Sequence, residues 1–136
     1  IVTLMSYGHT LYAGSKEGDG VYRSTNNGET WTSVAPGLNT TSSVNAIAVN
    51  GTTLFAGTNG YGVYRFTENG EKWMPVINKG LINQNITCIA VKGAILFVGT
   101  SEMFGSGLYK STDNGETWIA AGFEQKDIYN LLQKLS

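Results

Sequence analysis

The octets STNNGETW (24–31), FTENGEKW (66–73) and STDNGETW (111–118) are three copies of one turn sequence. Each ends in tryptophan, so that Trp31, Trp73 and Trp118 recur at spacings of 42 and 45 residues. A period of this length is typical of proteins in which one supersecondary unit repeats along the chain. We call these segments the first, second and third octets.

Three further segments precede each octet in a fixed order. They are an apolar run (1–5, 44–49, 86–91), a segment with glycine as its last residue but one (LYAGS, LFAGT, LFVGT) and a short segment (GVYR, GVYR, GLYK). All are short and rich in β-branched and aromatic residues, which favour strands. Gly or Asn between the first two segments suits a tight hairpin. Each period therefore predicts four antiparallel strands.

The first two segments of each period are apolar at nearly every position, so both faces of these strands should be buried by neighbouring sheets. This pattern favours a propeller blade over a sandwich or a solenoid coil. We predict an all-β, propeller-type domain over 1–136. It contains three consecutive four-stranded antiparallel blades, at about 1–42, 43–84 and 85–126. Residues 127–136 would begin another strand or form a short sealing helix.

Three blades cannot close a propeller ring, which usually has four to eight. An open array would leave an apolar sheet face exposed at each end. Two arrangements solve this problem. The chain is either a fragment of a larger propeller or half of a homodimeric six-bladed ring.

The octets resemble the Asp-box, or BNR repeat, whose pattern is Ser-x-Asp-x-Gly-x-Thr-Trp. The third octet matches at every defined position, the first has Asn in place of Asp, and the second keeps only glycine and tryptophan. The matching residues are Ser111, Asp113, Gly115, Thr117 and Trp118; Ser24, Asn26, Gly28, Thr30 and Trp31; and Gly70 and Trp73.

Families with this repeat include sialidases, xyloglucanases, sortilin-type receptors and photosystem assembly factors of the Ycf48 type. The resemblance implies that each octet lies between the third and fourth strands, on the face away from the ligand site. The octets are then structural, since Asp or Asn caps backbone N–H groups and glycine allows positive φ.

The candidate binding residues lie in the loops between the second and third strands, on the face opposite the octets. These loops differ in length while the strands around them keep their pattern, and variable loops on a constant scaffold usually carry function. The candidates are Lys16, Glu17, Asp19, Asn59, Tyr61, Glu102, Met103 and Phe104. Tyr61 and Phe104 could stack on a sugar ring or grip a peptide.

Composition argues against several other functions. With 9 basic and 10 acidic residues, a net charge of -1 does not favour nucleic acid. The apolar runs are too short to insert in a membrane. One histidine and one cysteine cannot form a His/Cys metal site, and we expect no metal or other cofactor. The resemblance to sialidases implies three substrate-binding arginines, whereas this chain has only Arg23 and Arg65.

We therefore predict a non-catalytic, extracytoplasmic binding or assembly module that presents its variable loops to a protein or glycan. One alternative is a fragment of a sialidase-like or xyloglucanase-like glycoside hydrolase whose catalytic residues lie on other blades. Another is a structural repeat segment without a ligand. No catalytic residue is assigned within the chain.

Overall fold

The computed structural model describes residues 3–16, 20–34, 43–67, 72–76, 79–81, 85–101 and 107–120. Blade one comprises β1 (Thr3–Tyr7), β2 (Thr10–Gly14), β3 (Val21–Ser24) and β4 (Thr32–Ser33). Blade two comprises β5 (Val44–Asn50), β6 (Thr53–Thr58), β7 (Val63–Thr67) and β8 (Lys72–Pro75). Blade three comprises β9 (Ile86–Lys92), β10 (Ile95–Thr100), β11 (Leu108–Ser111) and β12 (Ile119–Ala120). Residues 127–136, for which a strand or helix was predicted, lie outside the described ranges.

Each blade is an antiparallel meander whose strands pair in sequence order. Tight hairpins join the first two strands, as at Gly51, where a φ of 63° favours glycine. The prediction of three consecutive four-stranded antiparallel blades is confirmed. Because strands alternate in direction, the hairpins and octets lie at one end of each blade. The loops between second and third strands lie at the other end.

The registers of the three blades are equivalent. Thr3 pairs with Gly14 in blade one, Ala46 with Gly57 in blade two, and Cys88 with Gly99 in blade three. The paired strand positions of one blade therefore have counterparts in the others.

Two clusters of buried side chains join the blades. The first combines Tyr12, Val21 and Val34 of blade one with Ile47, Ala56, Tyr64 and Trp73 of blade two. The second repeats this arrangement one blade further on, with Phe55, Val63 and Val76 beside Val98, Tyr109 and Trp118. We call the face turned to the preceding blade the leading face and the opposite one the trailing face. The core of the molecule thus lies between blades.

Two glycines permit this close packing. A Cβ on Gly14 would lie 2.8 Å from Val44 Cγ1 and 2.9 Å from the Val44 carbonyl oxygen. A Cβ on Gly57, its counterpart, would lie 2.9 Å from Ile86 Cβ. The glycine near the end of the second strand in blades one and two thus lets the first strand of the next blade approach.

Strand β1 departs from the prediction that both faces of the first strands are buried. Residues alternate along it between partly buried and exposed, and Leu4 is 63% exposed. Its counterpart in blade two, Ile47, is buried against blade one. Blade one has no preceding blade among the described residues, so the leading face of β1 is open.

Candidate functional site

The loops between second and third strands begin at a repeated backbone clamp. The N–H of Ser15 donates to the Gly20 carbonyl at 3.0 Å, and Thr58 makes the same bond to Gly62 at 3.0 Å. In blade three, Thr100 N–H bonds the Gly107 carbonyl at 2.9 Å. The clamp sets the base of each loop, so loop length can vary without disturbing the strands.

Side-chain hydroxyls reinforce this clamp. Ser15 Oγ donates to the Gly20 carbonyl at 2.9 Å, and Thr58 Oγ1 donates to the Gly62 carbonyl at 2.8 Å. Thr58 Oγ1 also accepts the Tyr61 N–H at 3.2 Å. The backbone of Tyr61 is thereby anchored while its side chain remains 46% exposed. A fixed backbone carrying an exposed aromatic ring is suited to binding, because little freedom is lost when the ring is covered.

Backbone hydrogen bonds link the three loops across the blades. Val44 N–H donates to the Ser15 carbonyl at 2.9 Å, and Asn59 N–H donates to the Ser43 carbonyl at 3.0 Å. Asn59 and Asn85 form an antiparallel bridge. These contacts hold the bases of adjacent loops in one continuous row, which we call the loop face.

Blade three continues this row. Ser101 N–H donates to the Asn85 carbonyl at 3.1 Å, and Asn85 Nδ2 lies 3.5 Å from Ser101 Oγ. Asn45 Nδ2 donates to the Ile86 carbonyl at 2.9 Å, which adds a side-chain link between blades two and three. Among the described residues, the loop face therefore presents amide and hydroxyl groups beside the Tyr61 ring.

The structure places three of the predicted binding residues on the loop face. Lys16, Asn59 and Tyr61 are exposed there. Glu17, Asp19, Glu102, Met103 and Phe104 lie outside the described residues.

Sequence reasoning missed three other members of this face, Ser43, Asn85 and Ser101. Ser43 and Asn85 directly precede β5 and β9, and Ser101 follows β10. Their position next to a repeated strand is the signal that could have identified them. Asn85 and Ser101 are partly buried, so they would support a bound ligand from below rather than from the rim.

Side chains within the first octet close a compact turn. Ser24 Oγ accepts the Gly28 N–H at 2.9 Å and donates to Asn26 Oδ1 at 2.9 Å. Asn26 Oδ1 also accepts the Thr30 N–H at 2.9 Å. Trp31 Nε1 donates to the Gly28 carbonyl at 3.1 Å. Each side chain thus satisfies a backbone group of the turn itself.

The third octet repeats these contacts with a carboxylate. Gly115 N–H donates to Ser111 Oγ at 2.9 Å, and Asp113 Oδ1 accepts the Thr117 N–H at 2.9 Å. Trp118 Nε1 donates to the Gly115 carbonyl at 3.0 Å. The Thr117 hydroxyl donates to Asp113 Oδ2.

These hydrogen bonds favour the charged form of Asp113. The Thr117 hydroxyl contributes most, followed by the Thr117 N–H and the Ser111 hydroxyl, and together they lower the pKa of Asp113 to about 2. In the first octet, Asn26 Nδ2 instead donates to Thr30 Oγ1 at 2.7 Å. One turn geometry thus accommodates either a carboxylate or an amide.

The second octet has an aromatic contact where the others have a hydroxyl. Phe66 takes the position of Ser24 and Ser111, and its ring centroid lies 5.1 Å from that of Trp73. Trp73 is buried, yet its Nε1 has no hydrogen-bond partner among the described residues. Gly70, the other residue of the repeat pattern retained here, lies outside the described residues.

Other chemically reactive groups are few in the described ranges. Burial raises the pKa of the Cys88 thiol, which keeps it protonated at neutral pH. Within the part of the chain that is described, no three His, Cys, Asp or Glu side chains are grouped so as to hold a metal ion. None of the described segments forms a helix long and apolar enough to cross a membrane.

Comparison with known proteins shows similarity at the level of structure. No family model and no curated protein sequence matches the chain significantly. Ycf48 bound to a D1 peptide is similar at a TM-score of 0.66 and 16% identity over 88% of this chain. The GH74 enzyme of Niastella koreensis gives 0.60 and 25% identity over 82%. The computationally designed Ika8 protein gives 0.61 and 13% over 86%.

Ycf48 and the GH74 enzyme are β-propellers, which supports a propeller architecture for this chain. The chain spans 39% of the Ycf48 chain, 17% of the GH74 chain and 34% of the Ika8 chain. It therefore corresponds to part of each of these proteins.

Proposed function

We propose that this chain is a non-catalytic binding module of the Asp-box propeller type. Its loop face holds an extended protein segment or a glycan, and it acts outside the cytoplasm. The observation that carries the proposal is the exposed Tyr61 ring on a backbone anchored by Thr58. The amide and hydroxyl groups of Asn59, Asn85 and Ser101 beside it suit the carbonyl and N–H groups of a peptide or the hydroxyls of a sugar.

Two further observations support this proposal. The hydrogen bonds of the first and third octets are made within each turn, which fits a structural role for the Asp-box at the opposite end of the blades. A similar propeller, Ycf48, is described with a peptide bound to it. We favour a peptide over a glycan for that reason.

Selection from a phage-displayed library of linear peptides would test peptide binding directly. The affinity of a selected, fluorescently labelled peptide would then be measured by anisotropy. Tyr61→Ala should weaken binding by at least about tenfold, since exposed aromatic residues at the centre of an interface often dominate its energy. Met74→Ala is a matched control, because Met74 is 47% exposed but lies on the outer strand β8. Equal losses for the two variants, or no selected peptide, would count against the peptide proposal.

A glycan ligand is tested separately with an array of oligosaccharides that includes xyloglucan fragments. Binding there, sensitive to Tyr61→Ala, would support the glycan form of the proposal. Binding to neither peptides nor glycans would contradict the binding-module proposal as a whole.

The second candidate is a portion of a glycoside hydrolase. It is favoured by the 25% identity with the Niastella koreensis GH74 enzyme. Release of reducing ends from xyloglucan by this chain would show that activity and overturn the non-catalytic proposal. Without such release, the binding-module proposal stands on the peptide and glycan measurements.

A further inference from the structure

The leading face of blade one carries an apolar cavity of about 470 Å³ lined by Leu4, Ala13, Tyr22 and Trp31. Leu4 is 63% exposed and Trp31 is 38% exposed. These side chains come from β1, β2, β3 and the end of the first octet, so the cavity extends across the blade. Large apolar side chains grouped on an open surface mark an interaction site.

The strand register identifies the residues that occupy the cavity-lining positions in the other two blades. Their counterparts in blade two are Ile47, Ala56, Tyr64 and Trp73, and those in blade three are Ile89, Val98, Tyr109 and Trp118. All of the blade-two set are buried, as are Val98, Tyr109 and Trp118. The cavity on blade one therefore lies at the position of an interblade contact, and no blade covers it among the described residues.

The partner that fits this cavity is defined by the two contacts already formed. In each, the trailing face of a blade supplies an aromatic ring and two valines: Tyr12, Val21 and Val34, then Phe55, Val63 and Val76. The occupant of the blade-one cavity should thus be the trailing face of another blade.

Blade three offers such a face with part of its surface free. Cys88, Ala90 and Phe97 are partly exposed, whereas their counterparts Ala46, Ala48 and Phe55 are buried. Leu108, the counterpart of Val63, is already buried. The free part of the trailing face therefore lies on β9 and β10.

We propose that the leading face of blade one receives the trailing face of blade three from a second copy of this chain. The contact is heterologous, because two different faces meet. Two such contacts related by a twofold axis close a ring of six blades. The contact continues, between chains, the packing that already joins the blades within one chain.

The mass of the purified chain in solution, measured by light scattering after size exclusion, tests this proposal. We expect twice the mass of one chain at high micromolar concentration. Leu4→Arg should shift the protein to the mass of one chain, since an unpaired charge would be buried in the contact. Met74→Arg should remain at twice the mass, because Met74 stays 47% exposed in a blade with another blade on each side. A wild-type mass of one chain, or an unaffected Leu4→Arg, would overturn the proposal.

Phe97→Arg distinguishes the two-faced contact from one in which two leading faces meet. The proposed contact requires that this variant also dissociate, whereas a contact between two leading faces would leave it paired. Mixing Leu4→Arg with Phe97→Arg should restore particles of twice the mass, because one of the two contacts then has both native faces. Particles of twice the mass in the mixture would show that both variants are folded. If circular dichroism shows both variants folded and no such particles form, the proposal is contradicted.

Discussion

The backbone N–H of Trp118 donates to the carbonyl of Lys79 at 2.8 Å, and this bond fastens the connector between blades two and three to the third octet. Lys79 N–H returns a bond to the Glu116 carbonyl at 3.2 Å. Trp118 packs with Val76 and Leu81 in the buried cluster between the blades and is 4% exposed, whereas Trp31 in the same sequence context is 38% exposed. Lys79, which lies between blades two and three, is thus hydrogen-bonded to the octet of blade three.

Gly80→Ala should destabilise the protein by about 1–3 kcal/mol, because an added Cβ would collide with the Trp118 carbonyl oxygen. The backbone at Gly80 also has a φ of 90°, which a side chain disfavours. Urea denaturation followed by tryptophan fluorescence would measure the loss.

Gly51→Ala separates the cost of the steric collision from the cost of placing a side chain at a positive φ. Gly51 has a φ of 63°, but nothing lies within 4 Å of its added Cβ. This variant should lose only the conformational part, about 1 kcal/mol. Equal losses of unfolding free energy for Gly51→Ala and Gly80→Ala would show that contact with Trp118 adds nothing to the cost at Gly80.

The sequence predicts most of the strands because their signals are local. Gly8, Gly51 and Gly93 mark the hairpins, and the recurring tryptophans set the blade period. The different environments of Trp31 and Trp118 could not be predicted, since their octets differ only at the third position, Asn26 or Asp113. Their exposure depends on whether a preceding blade packs against the octet, which is a tertiary property.

Asp113 should make the third octet sensitive to acid. Its pKa is lowered from 3.8 to about 2 in the folded chain, so its hydrogen bonds favour folding above pH 3.8. This stabilisation is lost as the pH falls through about 2, where Asp113 becomes protonated. We expect the melting temperature of the wild type to fall more steeply than that of Asp113→Asn between pH 4 and pH 2.

Asn26→Asp provides the reciprocal test in the first octet. Asn26 makes the same Oδ1 contact to the Thr30 N–H but does not titrate. The variant should therefore gain acid sensitivity that the native turn lacks. Parallel melting curves for the wild type and both variants at every pH would disprove the assigned role of the carboxylate.

Trp118→Phe should cost about 1 kcal/mol more stability than Trp73→Phe. Both tryptophans are buried, so both variants lose similar apolar contact. Trp118 donates a hydrogen bond from Nε1 to the Gly115 carbonyl at 3.0 Å, whereas Trp73 Nε1 has no partner within the part of the chain that the structure describes. Chemical denaturation of the two single variants would measure the difference, and losses equal within error would contradict it.

The loop face was predicted only in part, for a physical reason. Asn59 and Tyr61 could be identified because they lie in a loop of variable length between constant strands. Asn85 was not predicted, since it joins the face through its bridge to Asn59 of the preceding blade, and Ser101 joins through its hydrogen bond to Asn85. The bridge between Asn59 and Asn85 depends on how the blades pack, and the spacing of residues within one period does not encode it.

Gly57→Ala tests the packing of blade two against blade three. An added Cβ would lie 2.9 Å from Ile86 Cβ and 3.3 Å from Ile89 Cδ1, and Ile86 is fully buried. We expect a loss of about 1–3 kcal/mol from overpacking. Ile86→Ala alone should cost about 2–5 kcal/mol through the cavity it leaves. In the double variant the new methyl group occupies part of that cavity, so the combined loss should be smaller than the sum of the single losses. Additive losses in urea denaturation would show that Gly57 and Ile86 do not share a contact.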